Sequence, residues 1–325
     1  MKTISVAEAL NEALKEEMRR NPLVFAIGED IGRMGGLFGV TTGLADEFGA
    51  HRVIDTPISE AAIAGAGIGA ALVGTRPVME FQFLDFIMIA MDQIVNHAAL
   101  YRYMTNGMVS VPIVMRAPIC GGIGIGAQHS KSLEAWFVHV PGIKVVMPSN
   151  AADAKGLLKS AVRDDNPVLF LEHRLLYAQK GPVSDEEYLV PIGLAEIKRS
   201  GTDLTVVATG RTVSMTLSVA DKLSARGIEI EVIDPRTLKP LDRGSISESV
   251  RKTHRLVVVN EGWSVCGYAA EIMSTVIEDC FWDLDAPIKR VCNKDTPMPV
   301  ATTLERAVMV SEEDILNACL EVAAT

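Results

Sequence analysis

Three short stretches carry residue types that do chemistry. In Asp55-Thr56-Pro57-Ile58-Ser59-Glu60 a β-branched run ends and a helical pattern begins, so a strand end, a turn and a helix start bring carboxylates to one edge. In α/β proteins the C-terminal edge of a parallel sheet is where ligands bind. Ala61 to Val73 holds no cationic residue. A carboxyl group in such apolar surroundings tends towards a raised pKa and can exchange a proton near neutral pH. The alternative is that Ser59 or Glu60 only caps the helix. The second stretch, Cys120 to Ser130, is a glycine-rich loop after a strand pattern and carries His129 just ahead of a helical one. Glycine lets the backbone approach a ligand closely, and such loops commonly carry function; a histidine satisfied within its own loop is the plainer reading. The third, Phe81-Gln82-Phe83-Leu84-Asp85-Phe86, concentrates three aromatics in a chain only 5% aromatic. A flat heterocycle could stack there, although core packing is the default for any one Phe.

Other constellations are weaker. Gly65, Gly67 and Ala70, with Asp85 further on, formally match a dinucleotide fingerprint, which keeps a Rossmann-type dehydrogenase in view. In that fingerprint the glycines form the turn between strand and helix, whereas here they fall inside the helical pattern and read as close helix packing. There is no P-loop and no G-x-S-x-G elbow. No His/Cys cluster has metal-ligand spacing, and His51, His97, His139, His173 and His254 read as surface or core histidines.

These residues need elements to position them. Ser5 and Glu8 form a capping box before apolar Ala9, Leu10, Ala13, Leu14 and Met18, and Asn21-Pro22 stops that helix. Strand patterns at 23–27, 52–55, 77–80, 111–115, 144–147 and 168–171 then alternate with helical ones at 60–74, 86–104, 131–139 and 150–163. That rhythm predicts a largely parallel sheet with helices on both faces. From Arg174 to Thr202 the rhythm breaks into a polar stretch, which predicts a linker. A second series follows: strands 204–208, 228–233 and 256–259, helices 212–226, 244–252 and 268–280, and a last helix at 312–322 capped by Ser311. The expectation is an α/β protein of two domains, residues 1–180 and 201–325, around a linker at 181–200.

Composition agrees with this architecture. The 325 residues are 48% hydrophobic and 22% charged, with a formal net charge of -10, so disorder is excluded and an anionic nucleic-acid or membrane surface is disfavoured as partner. Five cysteines without a Cys-x-x-Cys pair read as buried thiols in a reducing compartment. The longest uncharged apolar run, Ala61 to Thr75, falls short of the roughly 20 residues that span a bilayer. A cytoplasmic protein is expected.

The ordered motifs Gly28-Glu29-Asp30, Asp55 to Glu60, Gly74-Thr75-Arg76-Pro77-Val78, Ala127-Gln128-His129-Ser130, Pro141 to Val146 and Asp164 to Val168 together resemble the beta subunit of thiamine-diphosphate-dependent 2-oxo acid dehydrogenases of the pyruvate, branched-chain and acetoin types. Thr209-Gly210, Val232 to Leu238 and Val258 to Gly262 resemble the transketolase C-terminal domain. The resemblance implies a pyrimidine-binding transketolase-like first domain and a chain whose activity, on pyruvate first, then acetoin or branched-chain 2-oxo acids, is oxidative decarboxylation with reductive acylation of a lipoyl group. By the same resemblance Glu60 hydrogen-bonds N1' of the cofactor's aminopyrimidine and promotes its imino tautomer. Glu29, Ile58, Ser59, Gln82 and Phe86 line the pyrimidine side, and Gln82, Phe83 and His129 face the substrate, His129 assisting proton transfer. Ile113, Ala161, Val162, Asp164 and Asn166 match a potassium site built largely from carbonyl oxygens. Self-contained relatives hold Mg2+ and the diphosphate through a Gly-Asp-Gly motif. This chain has none, so an alpha subunit is implied, in an α2β2 heterotetramer docked on a dihydrolipoyl acyltransferase core, with Glu312, Glu313 and Asp314 as acidic docking candidates. Lys131 and Ile119-Cys120 depart from the residues usual at those positions. A non-catalytic scaffold would require Glu60 and His129 to be lost, and both are present.

Overall fold

The computed structural model describes residues Met1–Thr325, which divide into two compact units: Met1–Ile119 with Trp136–Ile192, and Cys120–Ala135 with Gly193–Thr325. In the first unit a helix at Val6–Arg20 follows strand β1 (Lys2–Ser5). The Ser5–Glu8 capping box forms in both directions, Glu8 N–H donating to Ser5 Oγ at 3.2 Å and Ser5 N–H to Glu8 Oε2 at 2.7 Å. Strands β2 (Val24–Gly28), β3 (Val53–Asp55), β4 (Arg76–Glu80), β5 (Val114–Ile119), β6 (Lys144–Val146) and β7 (Val168–His173) lie in the order β6-β7-β5-β4-β2-β3, all parallel. Every residue of β5 and β7 is buried, as a sheet covered on both faces demands. Leu10, Leu14 and Met18 pack with Leu157, Leu158 and Val162 of the helix Ala151–Arg163. Ion pairs stitch the same two helices: Lys155 Nζ lies 2.6 Å from Glu16, Lys159 Nζ 2.7 Å from Glu16, and Arg163 2.6 Å from Glu17.

Two expected elements differ. The helix expected at 86–104 is broken into Leu84–Ile87, a 3-10 turn at Met88–Ala90, a π turn at Gln93–Ala98 and Tyr101–Met104. Ile87, Ala90, Ile94 and Ala98 all stay buried through these changes, so the apolar period marks the buried face without fixing the hydrogen-bond partner. The strand expected at 111–115 instead starts at Val114 and runs to Ile119, through Arg116 and Pro118, which hid it from a hydrophobic pattern. Arg116 is buried because Glu172 on β7 takes it bidentately at 2.6 and 2.8 Å and Glu80 on β4 at 2.6 Å.

The stretch expected as linker carries β8 (Lys180–Val183), antiparallel to β1, and β9 (Glu196–Arg199). In the second unit β10 (Leu204–Ala208), β11 (Ile230–Asp234), the short β12 (Thr237–Lys239), β13 (Leu256–Trp263) and β14 (Lys289–Asn293) follow. A five-stranded sheet runs β14-β13-β10-β11-β9, parallel except for β9. Helices Thr212–Ser224, Arg243–Thr253, Tyr268–Cys280 and Glu312–Ala323 accompany it, with Val206, Val232, Val257, Leu223 and Ile315 in its core. The Ser311 cap forms as a full capping box with Asp314. The architecture is thus α/β with largely parallel sheets. All five cysteines are free, but Cys266 is exposed and Cys292 half-buried, so only Cys120, Cys280 and Cys319 are the buried thiols expected. Burial pushes the Cys319 thiol up to about 12.

Candidate active site

Gly28, Asp55 and Glu80 pair across β3-β2-β4 at the C-terminal ends of three adjacent strands. The segments that follow these ends hold Glu29, Asp55–Glu60 and Phe81–Phe86. A side chain on Gly28 would press within 2.6 Å of the Glu80 carbonyl oxygen, so close strand approach demands glycine there. Asp55 accepts from the Gly32 amide at 2.6 Å and Thr56 N–H donates to Gly28 O at 3.0 Å, which fixes the two loops together.

Glu60 is the first residue of the helix Glu60–Leu72 and only 5% exposed. Ser59 precedes it in extended backbone and its side chain makes no cap hydrogen bond, so Ser59 is not there as a cap. Glu29 is buried too, and burial first, then the charges of Glu60 and Asp30, hold its carboxyl above the ordinary range. Gln82 donates to Asp30 Oδ2 at 3.3 Å. Phe83 is buried against Phe38 and Phe86 with edge-on rings at 6.2 and 5.7 Å, and the Arg174 guanidinium sits 5.0 Å from its centroid. Phe86 is half-buried, while Ile58 is 82% exposed. One sheet edge thus gathers Glu29, Ile58, Ser59, Glu60, Gln82, Phe83 and Phe86: two buried carboxyl groups and an amide beside an exposed aliphatic side chain. Gly65, Gly67 and Ala70 all lie inside the helix, and a Cβ on Gly67 would overlap Met79 Sδ. Close packing accounts for Gly67, and no glycine turn exists there to face a pyrophosphate.

His129 belongs to the second unit. Its loop closes at a neck where Cys120 N–H donates to Lys131 O at 3.3 Å and Cys120 Sγ lies 3.1 Å from Ser132 Oγ. Ala127, Gln128, Ser130, Lys131, Trp263 and Met298 line a cavity of about 490 Å³ beside it. Two carboxyl groups that no motif singled out touch this segment. Glu305, from the helix Thr302–Val308, accepts from the amides of Gly122 at 2.8 Å and Gly124 at 3.0 Å. Glu134 accepts from Asn260 Nδ2 at 3.0 Å, and that amide also donates to Thr209 Oγ1 at 3.0 Å. Burial raises the Glu134 pKa, and its Oε2 has no hydrogen-bond partner.

The residues matched to a potassium site already serve the chain's own groups. Arg76 donates to Val162 O at 3.0 Å and Asp164 O at 2.9 Å, and Lys144 pairs with the Asp164 carboxylate. Ile113 O accepts from Val168 N–H at 3.0 Å, Ala161 O from Asp164 N–H at 3.3 Å, and Asn166 Oδ1 from Arg102 at 2.9 Å. Of the acidic docking candidates, Asp314 is used in the Ser311 capping box and Glu312 pairs with Lys222.

Comparison with known proteins bears on both units. The family described as transketolase, pyrimidine binding domain, matches residues 2–180, and that described as transketolase, C-terminal domain, matches 193–315. The chain is 48% identical over 325 residues to the mitochondrial pyruvate dehydrogenase E1 component subunit beta of Dictyostelium discoideum, covering 99% of this chain and 91% of that one. It is also 48% identical to the 2-oxoisovalerate dehydrogenase subunit beta of Bacillus subtilis, covering 99% of each. Among solved structures, an inactive beta4 tetramer of a split-gene transketolase aligns with TM-score 0.80 at 24% identity, covering 99% of this chain and 98% of that one, a likeness of fold.

Proposed function

The chain belongs to the beta subunits of thiamine-diphosphate-dependent 2-oxo acid dehydrogenases, and on that premise we propose that, with an alpha subunit, it decarboxylates pyruvate and acylates a lipoyl group. The observation that carries the reading is Glu60: a buried carboxyl group at the ligand-binding edge of a parallel sheet, beside Glu29, with no cation following it in its helix.

The donor set fits an aminopyrimidine, which offers a ring nitrogen to one carboxyl group and an amino group to neighbouring acceptors. Glu60 would hold a proton between its carboxyl oxygen and that ring nitrogen. Burial first, and then the charge of Glu60, holds the Glu29 carboxyl above the ordinary range. Gln82, Phe86, Ile58 and Ser59 would frame the ring, and Phe83, Gln82 and His129 would face the substrate. Thiamine diphosphate, when bound, supplies the nucleophilic carbon that attacks the 2-oxo group and accepts the electrons left as carbon dioxide departs. His129 would give a proton to the lipoyl sulfur released during acyl transfer. The diphosphate and its Mg2+ fall to the alpha subunit in an α2β2 assembly, and an acyltransferase core brings the lipoyl arm. A potassium ion takes no part in the proposal: Arg76 donates to the Val162 and Asp164 carbonyl oxygens, and Lys144 pairs with the Asp164 carboxylate.

The test is reconstitution with the alpha subunit and rates on pyruvate, 2-oxoisovalerate and acetoin. Fastest turnover on pyruvate is expected. The Bacillus subtilis relative, at the same 48% identity, makes 2-oxoisovalerate the second reading, and faster turnover on it would reverse the order.

A further inference from the structure

The loop that carries His129 is tied at its neck, Cys120 N–H to Lys131 O at 3.3 Å, and by His129 N–H to Gly126 O at 3.3 Å, and between these ties it is rich in glycine. Gly122, Gly124 and Gly126 have φ of +106°, +71° and +77°, and glycine loses more backbone freedom on ordering than any other residue. A further tie on its glycines comes from far along the chain. Glu305 is fully buried, and its carboxylate is divided between two amides, Oε1 accepting from Gly122 and Oε2 from Gly124. Charge-assisted bonds of this kind are about twice as strong as neutral ones, and successive glycine amides turned to one anion form a concave nest. The surrounding contacts are as close. A Cβ on Gly121 would come within 3.0 Å of Met298 Cε and 3.2 Å of Glu305 Oε1, and one on Gly126 within 2.8 Å of Val300 Cγ2. These glycines are therefore explained by the segment Met298–Glu305 lying against the loop.

We propose that Glu305 is a positioning residue for the reaction: by clamping the amides of Gly122 and Gly124 it fixes the loop in the one conformation that presents His129. The inference rests on the role given above to His129. A glutamine could accept one amide through Oε1 but would turn its NH2 group against the other, leaving two donors face to face.

The experiment uses the complex reconstituted with the alpha subunit, carrying Glu305→Gln, His129→Ala or both. Glu305→Gln should lower kcat for lipoyl acylation about ten- to a hundred-fold, with KM for the 2-oxo acid within about two-fold. In the His129→Ala background it should cost less than about two-fold more, since the clamp acts through that histidine. Glu305→Asp, which keeps both acceptors, should recover part of the loss. Amide exchange in the peptide 120–132 should quicken in Glu305→Gln while that of 204–208 does not. An equal loss with and without His129, or unchanged exchange in the loop, overturns the proposal. A slow His129→Ala beside a fast Glu305→Gln sinks this inference alone, whereas a fast His129→Ala sinks the role of His129 and this inference with it. Should Glu305→Gln not assemble, Glu305→Asp carries the same comparison.

Discussion

A proton-relaying carboxyl group and a carboxyl group that only caps a helix look alike in shape and differ in what their amides would do. Glu60→Gln keeps volume and hydrogen-bonding reach, so it separates the two. Turnover of the reconstituted complex should fall about 10²- to 10⁴-fold, while the melting temperature changes little, since replacing one first-turn charge costs about 0.3–1 kcal/mol. Steady-state rates and a thermal scan on one preparation check both halves. Glu29 gives a pH prediction of unusual sign. Its folded pKa is raised above the ordinary 4.5, so the folded chain keeps that proton longer than the unfolded chain does. The contribution to stability is complete below the ordinary value and is lost as pH rises through the raised one. Denaturant unfolding from pH 4 upward should show a falling component that Glu29→Gln removes. Glu60 stood out in the sequence as a strand-end carboxyl group at a βα turn, whereas Glu29 entered only through the family resemblance.

At the scale of elements, the first sheet encloses one cation and two carboxylates: Arg116 with Glu172 and Glu80, with Tyr177 O–H donating to Glu172 at 2.5 Å. Burial raises the Glu80 pKa against the opposing pull of Arg116. Its ionisation therefore weakens the fold as pH rises above the ordinary carboxyl range. Glu80→Gln still accepts from Arg116, and its melting temperature relative to the native chain should be more favourable at pH 8 than at pH 5. The opposite trend would place the favourable charge balance in the ionised pair. Helix Glu60–Leu72 offers a second pair of measurements. Gly67→Ala drives a methyl into Met79 and should cost about 1–3 kcal/mol. Gly69→Ala meets nothing within 4 Å and should stabilise the isolated chain by about 0.4–1 kcal/mol. Most elements could be read from hydrophobic period, as the helix Tyr268–Cys280 and β10 illustrate. β5 and β14 could not be read fully, because Arg116, Lys289, Arg290 and Asn293 interrupt the apolar run and only tertiary partners satisfy them.

The chain contains no Gly-Asp-Gly motif, and the proposed function therefore assigns it only the pyrimidine half of a cofactor site. Purified alone it should bind thiamine diphosphate weakly and turn over no 2-oxo acid, and adding the alpha subunit should restore both; thiamine-dependent decarboxylation by the lone chain would refute this. The acidic C-terminal helix has a mixed role at this scale. Asp314→Ala should cost about 1 kcal/mol through its cap, and Glu312 pairs with Lys222, which leaves Glu313 as the docking candidate outside both the cap and that ion pair. The division of the chain was the least legible feature. No local pattern at Cys120–Ala135 announces that these residues pack with the C-terminal unit, since their partners Asn260 and Glu305 stand far away in sequence.

The bond between Gly122 and Glu305 spans 183 residues. On a ribosome adding about 5–20 residues per second, the His129 loop therefore emerges about 10–40 s before the carboxylate that orders it. During that interval the nascent first unit can build its parallel sheet while the 120–135 segment, which packs with the second unit, stays unfixed and open to proteolysis. Chains that stall short of Glu305 should be nicked within 120–132, which gives a cell a means of telling finished subunits from unfinished ones before assembly.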